Sequence, residues 1–367
     1  MNWLLLFMPI AFALDHFHAG PIPVFLASTL AILPLSRLME EATTVLSKIL
    51  GPTIGGLLNA TMSNAPELII GISALHNGLI AMLKASIAGA IIGTLLFGLG
   101  LSIFTGNFGK SPRTFVAPMV GMNMGLLTVS SLGLLIPAIF NISTTADYEI
   151  SMHICILMLI LYVASIYYTL NQKNPPIDTA GVEKAMEQQE VAPVETSTEK
   201  KLHTEEHEPN WGRNKAIGVL LSVTVALALT SDLLTDSIQP AADLLHLTPF
   251  FAGMFLLSMV GNIPQFINSV SFARKDQLTL ALSVNLSSVT QLALLVAPIL
   301  VLSGGLFGKP MDLVFNQFEL IAIVISVIVA RYLLSDQRTT WLEGFMLIIM
   351  YMMLAVGFYY LPATQAT

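Results

Sequence analysis

Apolar runs close to the length of a membrane crossing divide almost the whole chain. Six lie in the first part, near 2–14, 23–47, 53–75, 79–105, 114–140 and 150–169. Five follow, near 214–235, 248–273, 277–304, 314–334 and 340–361. A helix needs about 20 mostly apolar residues to span a bilayer, and only the first run falls short. Lipid offers no partner to open backbone groups, so spans of this kind are helical. The pattern predicts an all-α integral membrane protein with about 11 transmembrane helices.

Between 171 and 213 the pattern fails. This stretch holds nine acids and five bases, and Pro175, Pro176, Pro193 and Pro209 punctuate it. Such a segment buries too little apolar surface to offset its ordering entropy. It is expected to be a disordered acidic linker. His203 and His207 have metal-ligand spacing, but a solvated loop is the simpler reading.

Composition agrees with the pattern. The chain is 54% hydrophobic and 11% charged, with mean hydropathy +0.76. Soluble domains carry about 25% charged residues. The net charge of -7 comes largely from the linker. Cys155 is the single cysteine, so no intramolecular disulfide can form. The N-terminus lacks a basic n-region and a small-residue cleavage site, and is expected to be a first span. No nucleotide loop, hydrolase metal motif or catalytic triad is visible, so enzyme chemistry and a nucleic-acid partner are not expected. The 18 methionines suit lipid-facing packing better than a soft-metal path.

Two segments interrupt apolar runs in the same way. Ser63-Asn64-Ala65-Pro66-Glu67 lies in the third span and Gly261-Asn262-Ile263-Pro264-Gln265 in the eighth. Interrupted helices in matching positions of two halves point to a transporter's binding site. The chain is therefore divided into an N-terminal helix (1–22), a five-helix repeat (23–170), the linker (171–213) and a second five-helix repeat (214–367). Basic residues orient it. Of 16 Lys and Arg, only Lys84 and Lys309 fall on the side opposite the N-terminus. The positive-inside rule then makes the N-terminus and the linker cytoplasmic and the C-terminus external. The two motifs run in opposite directions, so the repeats are inverted. Inverted repeats can exchange two conformations around a midplane site.

Glu67 lies mid-span, where a carboxylate costs several kcal/mol unless paired or hydrated. Pro66 lacks an amide hydrogen and disturbs the bond to the Met62 carbonyl. Freed carbonyls and the Asn64 amide oxygen are hard ligands suited to Ca²⁺ and alkali cations. Asn59 and Thr61 extend the polar face one turn earlier. Asn262 and Gln265 repeat the pattern, with Asn268 and Ser269 one turn on. Each motif is followed by a helix of small and polar residues. Packing alone accounts for Gly89, Ala90 and Gly93, whereas Ser288, Thr290 and Gln291 are read as cavity lining. The candidate cation ligands are thus Glu67, Asn64, Asn262, Gln265, Asn59, Ser288, Thr290 and Gln291, with Glu67 also carrying the proton.

The run from Gly55 to Ile69, with Asn59-Ala60-Thr61 and Asn64-Ala65-Pro66-Glu67, resembles the first signature repeat of the cation/proton exchangers. These form a branch of the calcium/cation antiporter superfamily. Val260 to Gln265, Lys275 to Leu282 and Ser287 to Pro298 resemble the second repeat. Glu41-Ala42-Thr43, Asp236 to Ala242, Phe318-Glu319 and Trp341 to Gly344 also look similar. The resemblance covers nearly the whole chain. It implies export of Ca²⁺, or another cation, in exchange for protons. The partners implied are the lipid bilayer, a small inorganic cation and protons, with no resident cofactor and no partner protein.

Departures from the family pattern matter. The family motif has Glu at its last position in both halves, and here the second is Gln265. Two carboxylates can hold one Ca²⁺ or two protons. One carboxylate holds one proton or one monovalent ion, which favours Na⁺/H⁺ or K⁺/H⁺ exchange on charge grounds. Ca²⁺ affinity follows the ligand charge count, so Ca²⁺ remains bindable, more weakly. Glu41 and Glu319 are the candidate compensating acids. Asp232 and Glu343 read better as acids at helix ends. A different class stays open: a member that has lost transport and regulates instead.

Overall fold

The computed structural model describes residues 2–141, 147–171 and 211–361. Residues 172–210, with His203 and His207, lie outside the described residues. Among those described, eight helices are long and apolar enough to cross a membrane. The chain begins with a 3-10 turn and α1 (Phe7–His16). Next comes α2 (Pro21–Met62), which bends at Gly51, where φ is 81°. That backbone region is open to glycine without strain. The following Pro52 also disfavours helical geometry at Gly51.

A single span is expected over 53–75, but the structure breaks it. The end of α2 gives way at Ser63–Asn64 to α3 (Ala65–His76). Pro66 sits in the first turn of α3, where a missing N–H costs nothing because no intrahelical partner is available.

The remaining helices are α4 (Ile80–Asn107), α5 (Ala117–Asn141), α6 (Asp147–Asn171), α7 (Arg213–Leu244), α8 (Pro249–Arg274), α9 (Leu278–Leu306), α10 (Gln317–Leu333) and α11 (Trp341–Tyr359). Burial sorts them into inner and outer layers. The most apolar window of α4 is 83% buried, against 22% for α6 and α11. So α4 is a central helix, and α6 and α11 turn Leu157, Ile160 and Met353 outward, as lipid-facing helices do. α8 crosses α4 at backbone contact. A Cβ on Gly89 would lie 2.0 Å from the Met254 carbonyl oxygen, and one on Gly253 would lie 2.3 Å from that of Met82. Small residues let helices approach this closely in lipid.

Three of the inner helices carry wide π-turns: Gly93–Gly98 in α4, Ala252–Leu257 in α8 and Leu292–Val296 in α9. Such turns shift the helix register and leave carbonyls less well paired. The ends of the bundle are polar. Beyond α4, Lys110 Nζ and Arg113 Nη1 reach Asp276 Oδ1 at 2.6 and 2.9 Å. There β1 (Arg113–Thr114) pairs antiparallel with β2 (Arg338–Thr339), a short tie in an otherwise helical fold. Near the other end of α4, Lys84 Nζ lies 2.7 Å from Asp312 Oδ1.

Candidate functional site

The break between α2 and α3 places Asn64 at the N-cap position with φ -114° and ψ 23°. A capping Asn usually accepts from its own helix. This one does not; its buried side chain crosses to α9 instead. Asn64 Nδ2 donates to Gln291 Oε1 at 2.7 Å, and Ser288 Oγ lies 2.9 Å from Asn64 Oδ1. Ser63 Oγ donates to the same Gln291 oxygen at 2.6 Å, and Gln291 Nε2 lies 3.2 Å from Ser287 Oγ. Ser288 Oγ also lies 2.7 Å from Gln265 Oε1. Asn64, Gln265, Ser288 and Gln291, singled out by sequence, are therefore joined in one hydrogen-bonded network.

That network has a proton shortage. Ser288 has one hydroxyl proton and faces two amide oxygens. Meanwhile Gln265 Nε2 is buried with no partner. Turning the Gln265 amide by half a revolution satisfies both, because Nε2 then donates to Ser288 Oγ. It also leaves Gln265 Oε1 as an open acceptor, the kind of oxygen a hard cation needs.

Glu67 stands in the first turn of α3, where the helix dipole favours an anion. Its side chain packs on α8: a Cβ on Gly261 would come 3.0 Å from Glu67 Cγ. Its Oε2 is buried and has no hydrogen-bond partner. Beside it is a cavity of about 20 Å³, lined mainly by apolar residues such as Ile70, Leu83 and Leu300, with Glu67, Ser86 and Ser258 as its polar members. A volume of this kind holds one water-sized occupant. An unpaired carboxylate oxygen next to such a space can take a proton or a dehydrated cation.

The second motif is built differently. α8 runs through Pro264 without a break. Buried Asn262 donates through Nδ2 to the Ser258 carbonyl at 2.8 Å, within its own helix. Its Oδ1 meets Thr94 Oγ1 of α4 at 3.4 Å. Ser258 Oγ in turn donates to the Met254 carbonyl in the π-turn.

Other candidates lie apart from the network. Thr290 is buried, but its hydroxyl donates to the Leu286 carbonyl of its own helix at 2.8 Å. Asn59 lies before the break, where its carbonyl accepts from Ser63 N at 3.0 Å. Glu41 pairs with Arg37 at 2.9 Å on a partly exposed face of α2. Glu319 closes a capping box at the start of α10, accepting from Asn316 N at 2.7 Å. The pattern Asn316-x-x-Glu319 announces that box in sequence. Glu343 does the same with Thr340. Asp232 accepts from Ser73 Oγ at 2.5 Å. The residue that sequence reading passed over is Glu40, whose Oε2 accepts from Asn268 Nδ2 at 2.7 Å. Its signal is the pairing of Arg37 with Glu41, which leaves the neighbouring acid on another face of α2.

Among the described residues no group of three or more His, Cys, Asp or Glu side chains comes together as a metal cluster. The polar center gathers amides and hydroxyls, with one buried carboxylate, Glu67, in the first turn of α3. A helical bundle of membrane-spanning length, with broken and π-turned helices meeting at such a center, has the build of a membrane transporter. The chain belongs to the sodium/calcium exchanger protein family, which matches residues 21–171 and 215–360.

Its relatives place it on the cation/proton exchanger branch. It is 34% identical to a Ca²⁺/H⁺ antiporter of Aphanothece halophytica, covering 98% of this chain and 96% of that one. It is 33% identical to the Ca²⁺/H⁺ antiporter ChaA of Bacillus subtilis, covering 92% of each. Among solved structures, native YfkE superposes with TM-score 0.80 at 28% identity over 98% of both chains. The H⁺/Ca²⁺ exchanger CAX shares the fold, with TM-score 0.71 at 13% identity over 100% of this chain and 92% of that one.

Proposed function

We propose that this chain exchanges Ca²⁺ for protons across a membrane, by alternating access at a site centered on Glu67. The observation that carries the reading is the buried, unpartnered Oε2 of Glu67 beside a cavity sized for one small occupant. Proton and cation compete for that oxygen, so each excludes the other. Asn64, three residues before Glu67, belongs with Gln265, Ser288 and Gln291 to a network of neutral oxygens between the halves. The Ca²⁺ substrate is inferred from the named activities of the relatives.

The inverted-repeat reading is supported by the π-turns in α4 and α9, which recur at nearly the same sequence spacing as the two motifs. The end of the bundle bearing Lys110, Arg113 and Lys275 is read as cytoplasmic. In that orientation the N-terminus and the acidic linker are inside and the C-terminus is outside.

One observation favours a second reading. Gln265 replaces the second carboxylate of the family motif, and a single negative charge suits Na⁺ or K⁺ in place of Ca²⁺. Proton flux in proteoliposomes separates the readings when Ca²⁺, Na⁺, K⁺ and Mn²⁺ are added singly to wild type and Glu67→Gln. Flux driven by Ca²⁺ and absent in the variant supports Ca²⁺/H⁺ exchange. Flux driven only by Na⁺ or K⁺ supports the monovalent reading. Normal flux in Glu67→Gln would sink the proposed site, and no flux with any ion from folded wild type would favour the regulatory class.

A further inference from the structure

A second carboxylate meets α8 one turn beyond Gln265. Glu40 lies on α2 beside Glu41, about 100° away around the helix. Arg37 holds Glu41 at 2.9 Å. Glu40 turns instead to α8, where Asn268 Nδ2 donates to its Oε2 at 2.7 Å. Asn268 sits one turn beyond Gln265, the position at which the second motif has lost its acid. A carboxylate from the N-terminal half is thus hydrogen-bonded to the C-terminal half's motif helix.

Glu40 and Glu67 differ in access. Glu40 is solvent-exposed, whereas Glu67 Oε2 is buried. A cation can therefore meet Glu40, beside the second motif helix, before it reaches the buried Glu67. A similar arrangement recurs between α7 and α3 with the halves exchanged. There α7 offers Asp232 to Ser73 of α3 at 2.5 Å and Asp236 to Asn77 at 2.7 Å. In both places the helix preceding one motif presents an acid to the other half's motif helix.

We propose that Glu40 recruits the cation on the Asn268 side and supplies the second negative charge of the transport path that Gln265 does not. The ligand is a hard cation, Ca²⁺ in the first instance, that keeps part of its water shell at Glu40. This rests on the exchanger reading above.

The test is Ca²⁺-driven proton flux in oriented proteoliposomes, with Ca²⁺ added on the Asn268 side. The proteins are wild type, Glu40→Gln, Glu40→Asp and the double variant Glu40→Gln/Gln265→Glu. Gln can still accept from Asn268, so the fold has no reason to change, and thermal unfolding checks this. Glu40→Gln is expected to raise KM for Ca²⁺ on the order of tenfold and to lower the maximal rate much less, as loss of a binding charge should. Glu40→Asp should fall between, and the double variant should recover part of the affinity. An unchanged KM in a Glu40→Gln protein, with wild type transporting normally, overturns the proposal and leaves the exchanger reading intact. A reduced maximal rate and melting temperature with unchanged KM also overturns it, because that is the signature of a structural role. No flux from wild type with any cation overturns the exchanger reading and this inference together.

Discussion

The two motifs share Asn, Pro and an acid or amide at the same spacing, yet the chain folds them differently. In the first, the helix stops at Ser63–Asn64 and restarts at Ala65. In the second, α8 continues through Pro264, and the irregularity is a π-turn just upstream at Ala252–Leu257. The consequence lies in the Asn side chains. Asn64 is freed by the break and bonds across to α9, whereas Asn262 bonds back to the Ser258 carbonyl of its own helix. The first motif holds the charge and ties the halves together. The second keeps its own backbone satisfied and contributes one amide, Gln265, to the shared network.

The sharpest way to break this comparison is to remove the charge. Glu67→Gln is expected to reduce cation-driven proton flux to background with expression unchanged. Gln265→Ala, which deletes only neutral contacts, should slow exchange without abolishing it. Equal loss in both, measured in the same proteoliposomes, would mean that the motifs are chemically equivalent and that the asymmetry has no role in transport.

The next test separates the two asparagines. Asn64→Ala strips Gln291 and Ser288 of a buried partner, and each such loss costs about 1–3 kcal/mol. Asn262→Ala removes one bond within its helix and a long contact to Thr94, and should cost about 1 kcal/mol. Thermal unfolding in detergent reads the difference. A larger cost at Asn262 would reverse the assignment of which motif links the halves.

A gain-of-charge variant sharpens the comparison from the other side. Gln265→Glu restores an acid to the second motif and should raise preference for Ca²⁺ over K⁺ on the order of tenfold, since charge count tunes Ca²⁺ affinity. Competition between the two ions in the flux assay measures it. Unchanged preference would place position 265 outside the cation's reach.

The apolar runs made most of this fold legible, because lipid allows only one backbone solution for them. The polar network of Asn64, Gln265, Ser288 and Gln291 was legible because polar residues in such runs need a reason to be there. What was not legible was how each interruption resolves. Asn-x-Pro accommodates both a broken helix, as at Ser63–Asn64, and a continuous one, as in α8 through Pro264. Sequence reading took Glu41 as a candidate and passed over Glu40. The faces of α2 they occupy were decided by Arg37 and by Asn268 on a helix far along the chain. Glu319 was legible for its local role in the capping box through Asn316.

The smallest effect is expected where the halves meet outside the membrane. Lys110 and Arg113 from the N-terminal half both reach Asp276 from the C-terminal half, at 2.6 and 2.9 Å. The hydrogen bond from Lys110, reinforced by the Arg113 charge, holds the Asp276 carboxyl below its ordinary 3.8. A carboxyl depressed in the folded state adds stability that is fully present above that ordinary value. The stability is lost as pH falls through the folded value. Asp276 is 63% exposed, so solvent screens the pair and its contribution should lie within about 0–1 kcal/mol. Asp276→Asn should therefore melt slightly below wild type at neutral pH, and the gap should close in strong acid, where the wild-type carboxyl is also neutral. A gap of equal size at both pH values would mean that Asp276 does not act through its charge, and the backbone would not explain the gap either, since its φ of 66° suits Asn as well as Asp. The tie between the halves would then rest on the polar network around Asn64 and on the backbone contacts at Gly89 and Gly253, inside the membrane, where water cannot weaken them.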